Sequence, residues 1–509
     1  MNFQILDCTF RDGGYYTDWD FDDETVRTYI NNLNNLPIDY IELGYRNLPT
    51  EEYQGRFGYT PIYLLERIRK LSHKKLAVML NEKDTKPEDL QCLTTPIKGL
   101  VEMVRLAVDP KNLQRAITLA KAVKAQGFEV GFNIMYMSKW EEYAGFYDHL
   151  SELNGVVDIV NMVDSFGGIM PKEVAEIIRR LRKAVNCKIG FHGHNNLQMG
   201  LANSLTAIEN GVDSVDCTIL GMGRGAGNLN TELLLSYLNR KGLEVDFNVL
   251  GEVVSSFQPI FETYRWGTQL PYMISGAYSL PQKEVMSLVT NRVYSFDSIV
   301  RGMQNKKNNV KDNAKYPLLN EEAYENVIVI GGGQSPQQHA EAIMNFIKKC
   351  NSVALVFATA RHTNPYQDLN VPKYFCLVGR EAKRLSENAN QPFTGKCVLL
   401  PYPRELGTDV PDFAFEKTFE LSGISFTNRH LDSCTTLAIE VALTLSTKNI
   451  FIVGYDGYPS FISSEKEIAL TKENRALFED YNKFTGRKLV SLTRSLYDEL
   501  QIKSVYQFL

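Results

Sequence analysis

The sequence predicts an α/β protein with an N-terminal (β/α)8 TIM barrel, a helical extension and a smaller C-terminal three-layer, Rossmann-like domain. Two observations predict the barrel. Short β-branched runs alternate with segments of helical period from residue 3 to about 240, and eight such runs occur. Alternation of this kind is typical of a parallel sheet with right-handed crossovers. Eight units over roughly 240 residues fit a barrel better than an open doubly wound sheet.

The barrel strands are expected at eight places along the chain. They are Phe3–Thr9, Ile38–Gly44, Lys75–Leu80, Gly99–Ala107, Glu129–Tyr136, Val157–Asp164, Lys188–His192 and Asp213–Leu220. Helical periodicity lies between and after them, near residues 22–35, 61–72, 110–126, 139–152, 171–185, 197–209 and 231–240. Only the stretch between the third and fourth strands has a weak helical pattern.

The chain is expected to have four segments. Residues 1–244 form the barrel, and residues 245–304 are expected to be helices that cap or extend it. Residues 305–322 are polar, rich in Asn and Lys and without periodicity, which is typical of a linker. Residues 323–509 form the Rossmann-like domain. Its expected elements are a strand Asn326–Ile330, a helix Gln337–Lys349, a strand Ser352–Phe357, a helix Thr435–Leu445 and a strand Asn449–Val453.

Composition excludes several classes of function. The 509 residues carry 55 Lys+Arg and 60 Asp+Glu, a formal net charge of −5, which favours neither nucleic acid nor an anionic membrane as partner. Neither a signal peptide nor a transmembrane run of about 18 apolar residues is recognisable, so neither is expected. Eight cysteines without CxxC spacing are typical of reduced thiols in a cytoplasmic protein.

The first strand candidate ends in Asp7-Cys-Thr-Phe-Arg11-Asp12-Gly-Gly. A (β/α)8 barrel carries its chemistry at the carboxyl ends of its strands, so Arg11 and Asp12 are candidates for the site. A carboxylate next to a guanidinium can equally be a structural ion pair. This segment alone does not decide between the two interpretations.

Two histidines lie one residue apart at the end of the seventh strand candidate. Side chains two residues apart in an extended chain point the same way, so His192 and His194 present two imidazoles to one space. The chain contains only seven histidines, so this pairing favours a metal site over two satisfied histidines in a polar loop. Imidazole with carboxylate suits several first-row divalent metals and also admits Mg²⁺.

Other strand ends are polar as well. Glu42 lies in the second strand, Ser165 follows the sixth, and the glycine-rich segment Gly221–Asn228 follows the eighth. A glycine string alone can be a mobile turn, but loops after the last barrel strands often hold phosphate or substrate. Five strand ends converge only if the barrel closes, and they carry Arg11, Asp12, Glu42, Ser165, His192, His194 and Asn228.

A second glycine-rich turn lies in the C-terminal domain. Gly331, Gly332 and Gly333 follow a strand and precede a helix, so their N–H groups are a candidate phosphate loop for a nucleotide or sugar phosphate. The turn lacks GxGxxG and a Walker A lysine, which disfavours NAD(P) and P-loop functions. An interaction module is an equally open interpretation of this domain.

Three ordered motifs resemble one superfamily. DxTxRDG at Asp7–Gly13, HxHN at His192–Asn195 and GxGRGAGN at Gly221–Asn228 resemble the DRE-TIM metallolyases, which include HMG-CoA lyase, isopropylmalate synthase and 4-hydroxy-2-oxovalerate aldolase. The resemblance covers the barrel, about half of the chain. Val163–Gly168 and Pro271–Leu280 resemble the aldolase branch, whose substrate yields pyruvate.

The resemblance implies a role for each matching residue. Asp12, His192 and His194 match metal ligands, for Mn²⁺ or Mg²⁺ with Zn²⁺ or Co²⁺ as alternatives. Arg11 matches the arginine that steadies an enolate, and Glu42 matches an acidic residue that orients the arginine side of the site.

Substrate contacts and proton transfer are implied less directly. Ser165 matches a serine that contacts pyruvate, and Asn228 and Tyr278 are further candidates for substrate contacts. The pyruvate aldolases carry a histidine three residues after the metal-binding aspartate, where this chain has Tyr15. Tyrosine has an ordinary pKa of about 10 and is a weak base at neutral pH. Tyr15, Tyr16 or Tyr278 can take the acid/base role, or these rings can simply pack as a lid.

The sequence therefore predicts a cytoplasmic carbon–carbon lyase of the metal-dependent pyruvate aldolase type. It would cleave or form a 4-hydroxy-2-oxo acid from pyruvate and an aldehyde, as a homo-oligomer. An acyl-CoA lyase or Claisen-type synthase is the alternative within the superfamily, although Gly221–Asn228 lacks the cysteine of HMG-CoA lyase. A metal-containing binding protein without turnover is the alternative outside enzymes.

Overall fold

A computed structural model describes most of the chain. The described residues are 3–51, 53–291, 296–309, 315–320, 323–379, 381–390, 392–404, 407–458 and 465–509. The chain divides into two compact units, residues 1–286 and 287–509, and each is described by itself.

The first unit contains a closed barrel of eight parallel strands, each paired with its neighbours in chain order. The predicted (β/α)8 fold class is thereby confirmed. The strands are β1 Gln4–Asp7, β2 Tyr40–Tyr45, β3 Lys75–Asn81, β4 Met103–Val108, β5 Glu129–Ile134, β6 Ile159–Asp164, β7 Lys188–Gly193 and β8 Ser214–Cys217. Most strand residues are buried, because one face fills the barrel and the other packs against helices.

Helices cover the outside of the barrel with their apolar faces turned inward. In α8, for example, Val174, Ile177, Ile178 and Leu181 are buried at helical spacing. The helices of this region are α1 Thr9–Thr17, α2 Asp23–Leu33, α3 Arg56–Tyr59, α4 Ile62–Leu71, α5 Leu90–Leu93, α6 Leu113–Ala125, α7 Phe146–His149, α8 Pro171–Ala184, α9 Gly200–Glu209, α10 Thr231–Arg240, α11 Phe247–Tyr264, α12 Leu270–Tyr278 and α13 Gln282–Asn291.

The first strand is shorter than predicted. We expected Phe3–Thr9, but β1 ends at Asp7, and Thr9 begins helix α1. The Asp7 carboxylate accepts hydrogen bonds from the backbone N–H of Thr9 at 2.9 Å and from its hydroxyl at 2.5 Å. This turn competes with continued strand pairing. Arg11 and Asp12 therefore lie in a helix at the barrel mouth, not on an extended strand end.

Two crossovers depart from regular helices. The stretch with a weak helical pattern, between β3 and β4, holds short 3₁₀ helices and the four-residue α5. The helix predicted at 139–152 is divided into a 3₁₀ helix Met137–Glu142, α7 and a 3₁₀ helix Leu150–Leu153. Gly145 interrupts it with a left-handed φ of 69°, a conformation that glycine adopts readily.

The region after the barrel is helical, as expected. The compact units divide after Met286, which lies inside the segment 245–304 that we predicted as one extension. A further helix, α14 Phe296–Lys307, overlaps the predicted linker 305–322, of which residues 310–314 and 321–322 lie outside the described part. The four predicted segment boundaries stay predictions.

The second unit is a three-layer α/β domain, as predicted. Its parallel strands have the order β13-β12-β11-β10-β9-β14-β15-β16. Separate apolar clusters lie on the two faces of this sheet. The strands are β9 Tyr324–Ile330, β10 Val353–Phe357, β11 Lys373–Leu377, β12 Lys396–Leu399, β13 Thr418–Glu420, β14 Ser446–Val453, β15 Val490–Ser491 and β16 Gln501–Ile502. The helices are α15 Ser335–Gln338, α16 Ala340–Lys349, α17 Glu381–Asn388, α18 Cys434–Leu445 and α19 Glu465–Thr485.

Among the described residues, no helix combines the length and the apolar character needed to cross a membrane.

The close packing of Gly44 in β2 against Phe57 leads to a prediction about stability. A Cβ added at Gly44 would lie 2.0 Å from the Phe57 carbonyl oxygen, whereas one added at the exposed Gly251 in α11 would meet nothing within 4 Å. We expect Gly44→Ala to lower the free energy of unfolding of the barrel unit by about 1–3 kcal/mol. Gly251→Ala should raise it by about 0.5–1 kcal/mol, because alanine favours a helix interior.

Urea unfolding of the full chain measures both variants. Tryptophan fluorescence reports on the first unit, because all three tryptophans of the chain lie within residues 1–286. Equal stability of Gly44→Ala and the wild type would contradict the packing described for β2.

Candidate metal centre and active site

Asp12, His192 and His194 meet at the mouth of the barrel. Each offers one ligand atom, and these atoms all lie within 4.8 Å of one another, with all three residues buried. His192 Nε2 lies 3.4 Å from Asp12 Oδ2, and the two imidazole ring centroids are 5.0 Å apart. The closed barrel thus brings residues from its first and seventh strand ends into one cluster.

Hydrogen bonds fix the orientation of both imidazoles. His194 Nδ1 lies 2.7 Å from the Asp164 carbonyl oxygen, which can only accept, so Nδ1 carries the proton and Nε2 keeps its lone pair. His192 Nδ1 lies 3.0 Å from Asp216 Oδ2, and its Nε2 faces Asp12. Partners of this kind orient imidazoles in metal sites.

The charges around Asp12 keep it ionised. Burial opposes ionisation, but Arg11, the two imidazoles and Arg224 outweigh it and lower the pKa of Asp12 to about 2. Arg11 forms an ion pair with Asp12, and its Nε donates to Glu42 Oε2 at 2.9 Å. The guanidinium is therefore held next to the candidate metal ligand.

A buried arginine links the two carboxylates that bind Arg11 and His192. Arg105 of β4 donates through Nη1 to Glu42 Oε2 at 2.9 Å and through Nη2 to Asp216 Oδ2 at 2.6 Å. Glu42 holds Arg11, and Asp216 holds His192. One ionic chain thus runs through the barrel interior from the candidate enolate-stabilising group to a candidate metal ligand.

Burial also sets the protonation of neighbouring groups. Desolvation, together with the nearby His192, lowers the pKa of His194 to about 3. Desolvation raises the pKa of Asp164 to about 7, although backbone N–H groups of the loop after β6 oppose the shift. His194 is therefore a neutral imidazole over the physiological pH range, as a metal ligand needs to be.

The glycine-rich loop closes over Asp12. Asn228 Nδ2 donates to Asp12 Oδ2 at 2.7 Å, whereas Asn228 Oδ1 is buried without a hydrogen-bond partner among the described residues. A side chain at Gly227, which has φ of 77°, would lie 2.2 Å from the Gly221 carbonyl oxygen. Glycine is needed there for this close approach.

Tyr15 belongs to an aromatic wall beside the cluster. Its hydroxyl lies 2.9 Å from that of Tyr45, its ring packs against Trp19 at 4.9 Å, and the Arg224 guanidinium lies 4.3 Å from its ring centroid. Tyr16 instead donates its hydroxyl to the Gly225 carbonyl oxygen, and burial raises its pKa. Tyr15 is therefore the better candidate for proton transfer.

The remaining predicted contacts are less closely tied to the cluster. Ser165 Oγ accepts the backbone N–H of Tyr136 at 2.9 Å, in the loop after β6. Tyr278 is the last residue of α12, and no contact described above connects it to Asp12. Their roles in binding substrate stay predictions.

The residues present fit a divalent metal ion. One carboxylate and two oriented imidazoles form a suitable donor set, and the unpartnered Asn228 Oδ1 lies on the amide that holds Asp12. Neutral His194 and ionised Asp12 are in the protonation states that metal binding requires.

Sequence reasoning missed several residues of the site. Arg105 and Asp216 are charged residues inside otherwise buried strands, and this isolated charge is the signal that could have found them. Tyr45 and Trp19 are aromatic residues whose role depends only on tertiary packing. Arg224 was visible within the glycine-rich motif but was not singled out.

In the candidate phosphate loop of the second unit, the N–H groups of two of the three glycines already donate to backbone carbonyl oxygens. Gly331 N–H donates to the Val453 carbonyl oxygen, and Gly333 N–H donates to that of Gly454, each at 2.8 Å. Asp456 accepts from Ser335 and would be 2.4 Å from a Cβ at Gly333. A carboxylate in this position disfavours an anion, and the phosphate loop at Gly331, Gly332 and Gly333 stays a prediction.

Comparisons with known proteins agree with the barrel geometry. Residues 100–254 match the HMGL-like family model. A 4-hydroxy-2-oxovalerate aldolase from Bacillus cereus is 32% identical over 54% of this chain and 82% of its own length. An oxaloacetate decarboxylase from Mycobacterium tuberculosis is 29% identical over 47% of this chain and 70% of its own length.

A solved structure matches the same region. The crystal structure of the N-terminal domain of a candidate aldolase from Bacteroides vulgatus is 60% identical, with a TM-score of 0.56, over 58% of this chain and 99% of that chain. Fold, motifs and relatives agree for the barrel half. The chain therefore belongs to the HMGL-like family, in the DRE-TIM metallolyase superfamily and near its 4-hydroxy-2-oxovalerate aldolase branch.

Proposed function

We propose that the barrel is a divalent-metal-dependent aldolase. It would cleave a 4-hydroxy-2-oxo acid to pyruvate and an aldehyde, or form the acid from these two compounds. One observation carries this proposal: the ligand atoms of Asp12, His192 and His194 lie within 4.8 Å of one another, beside a buried guanidinium. The aldolase relatives, which match this chain over its barrel half, support the same reaction.

Asp12, His192 and His194 would hold the metal ion, Mn²⁺ or Mg²⁺ in our proposal. When bound, a divalent ion supplies Lewis acidity toward the oxygen atoms of a 2-oxo acid. Asp216 and the Asp164 carbonyl oxygen keep the two imidazoles aimed at one point.

Arg11 would stabilise the negative charge that develops on the enolate oxygen. Its guanidinium is fixed by Glu42 and Asp12, so little reorganisation is needed as the charge forms. A preorganised donor of this kind commonly lowers an activation barrier by about 3–4 kcal/mol. Ser165 and Asn228 are our further candidates for contacts to pyruvate.

Tyr15 would carry the proton in place of the histidine of the pyruvate aldolases. In cleavage the hydroxyl oxygen at C4 loses its proton, the C3–C4 bond breaks, and its electron pair becomes the pyruvate enolate. A proton then returns to C3, so no oxidant or reductant is needed. The hydrogen bond between Tyr15 and Tyr45, at 2.9 Å, offers a second hydroxyl through which this proton can pass.

Decarboxylation of oxaloacetate is a second candidate reaction, favoured by the decarboxylase relative. The C3–C4 bond breaks, C4 leaves as carbon dioxide, and the electron pair again forms the pyruvate enolate. The same cation and guanidinium would stabilise it. Pyruvate release from oxaloacetate, measured beside cleavage of 4-hydroxy-2-oxopentanoate, compares the two reactions directly.

Proton exchange at the pyruvate methyl group tests enolate formation without knowledge of the aldehyde. We expect the protein in D₂O to replace the methyl protons of pyruvate with deuterium when Mg²⁺ or Mn²⁺ is present. Exchange should stop after chelation. Proton NMR of pyruvate, recorded after the metal is removed, measures it.

The outcomes separate the alternatives. Exchange of an acyl-CoA without exchange of any 2-oxo acid would replace this proposal with an acyl-CoA lyase or Claisen-type synthase. No exchange of either compound would favour a metal-containing binding protein.

Metal content tests the proposed ligands. Asp12→Asn and His192→Ala should each lose most of the bound metal, because each removes one ligand from a set of three. His149→Ala, at an exposed histidine of α7, is the matched control and should keep it. Mass spectrometry measures metal per chain, and tryptophan fluorescence during urea unfolding checks the fold. Full metal content in both ligand variants would show that the site is elsewhere.

The depressed pKa of His194 predicts how stability depends on pH. His194 stays neutral in the folded chain down to about pH 3, whereas in the unfolded chain it takes up a proton below about pH 6.5. The free energy of unfolding of the metal-free barrel unit should therefore fall as pH decreases from about 6.5 toward 3. His194→Gln should reduce this dependence, and urea unfolding at pH 7 and pH 4.5 measures it. The same dependence in both proteins would contradict a buried neutral imidazole.

A further inference from the structure

Arg224 places a positive charge at the mouth of the barrel, and the proposed mechanism gives this residue no role. It lies in the glycine-rich loop after β8 and is half-buried. Its guanidinium lies 4.3 Å from the centroid of the Tyr15 ring. This is within the distance of a cation–π contact.

Arg224 differs from Arg11 and Arg105 in forming no ion pair with a carboxylate among the described residues, although its charge acts on the nearby Asp12. Arg11 is paired with Asp12 and Glu42, and Arg105 with Glu42 and Asp216. For Arg224, the described part of the chain shows no hydrogen bond and no ion pair with a carboxylate. No nitrogen of Arg224 is among the buried polar atoms that lack a partner, so its five N–H donors are open to water or to a ligand.

The surroundings hold this cation in a defined place. Tyr15 packs against Trp19 at 4.9 Å and shares a hydrogen bond with Tyr45, so both its ring and its hydroxyl have a partner. The loop itself is tied down, since Tyr16 donates to the Gly225 carbonyl oxygen. A guanidinium on a fixed aromatic surface is preorganised for an oxyanion.

The position of Arg224 assigns it to one half of the reaction. Arg11 is paired with Asp12, a proposed metal ligand, so the proposed mechanism assigns it to the pyruvate half. Arg224 lies on Tyr15, which we assign to the hydroxyl at the carbon derived from the aldehyde. The cation on Tyr15 therefore faces the aldehyde half.

We propose that Arg224 binds an anionic group on the aldehyde, so that the physiological electrophile is an aldehyde carrying a carboxylate or a phosphate. The inference rests on the proposed aldolase function and specifies its substrate class. Carboxylate and phosphate share the oxyanion geometry that a guanidinium recognises with two parallel hydrogen bonds.

Two pairs of aldehydes test this specificity. 4-Oxobutanoate is compared with butanal, and glyceraldehyde 3-phosphate with glyceraldehyde, each in aldol addition to pyruvate. We expect the wild type to favour one or both anionic aldehydes by about 10- to 100-fold in kcat/KM, the range that a charge-assisted hydrogen bond supports. The pair with the larger ratio distinguishes carboxylate from phosphate.

Variants test whether the preference for anionic aldehydes depends on Arg224. Arg224→Met should bring the ratio of kcat/KM values close to 1, and Arg224→Lys should restore part of it. Arg240→Met, at the exposed end of α10, removes the same charge and should keep the wild-type ratio. Tyr15→Phe should also keep the ratio, whatever its rate, because the ring beneath the guanidinium remains.

Binding gives a readout that does not need turnover. Saturation-transfer-difference NMR should detect 4-hydroxybutanoate more strongly than 1-butanol in the wild type, and should lose this difference in Arg224→Met. A wild-type ratio near 1 for both aldehyde pairs, or an unchanged ratio in Arg224→Met, would overturn the inference. Absence of pyruvate exchange in the wild type would instead overturn the aldolase function, and the NMR comparison would still decide whether Arg224 binds anions.

Discussion

The buried bridge from Arg105 to Glu42 and Asp216 is the interaction on which the candidate site depends. One guanidinium inside the barrel positions two carboxylates, and these position Arg11 and His192. Charges in a barrel interior persist only when they are paired, because unpaired ions pay the full cost of desolvation. Through these two carboxylates, Arg105 connects the candidate metal ligand His192 to Arg11.

This arrangement explains why burial does not raise the pKa of Asp12 or of Asp216. Asp12 is surrounded by Arg11, two imidazoles and the Asn228 amide, and its pKa stays low. Polar atoms of Glu42, Asp216 and Asn228 that lack partners among the described residues lie in the same region. Such unsatisfied atoms are few in folded proteins, and a bound ion or water is one of the explanations for them.

The two halves of the chain differ in how clearly their structure indicates a function. The barrel has known relatives along nearly all of its length, and its motifs and closure agree with membership of the HMGL-like family. The second unit has a complete eight-stranded sheet with an apolar cluster on each face. In its glycine-rich turn, the N–H groups of Gly331 and Gly333 donate to the carbonyl oxygens of Val453 and Gly454, and Asp456 accepts from Ser335.

The barrel, the three-layer second domain and the pairing of His192 with His194 could be predicted from the sequence, because strand–helix alternation and residue spacing are local patterns. The family resemblance added Asp12 to the two histidines. The sequence could not determine that Arg11 and Asp12 lie in a helix, since a side-chain hydrogen bond from Asp7 ends the strand. Nor could it determine the roles of Arg105, Asp216 and Arg224. Which charges are paired, and which guanidinium is left without an anion, depends on distances between strands far apart in the chain, and only barrel closure fixes those distances.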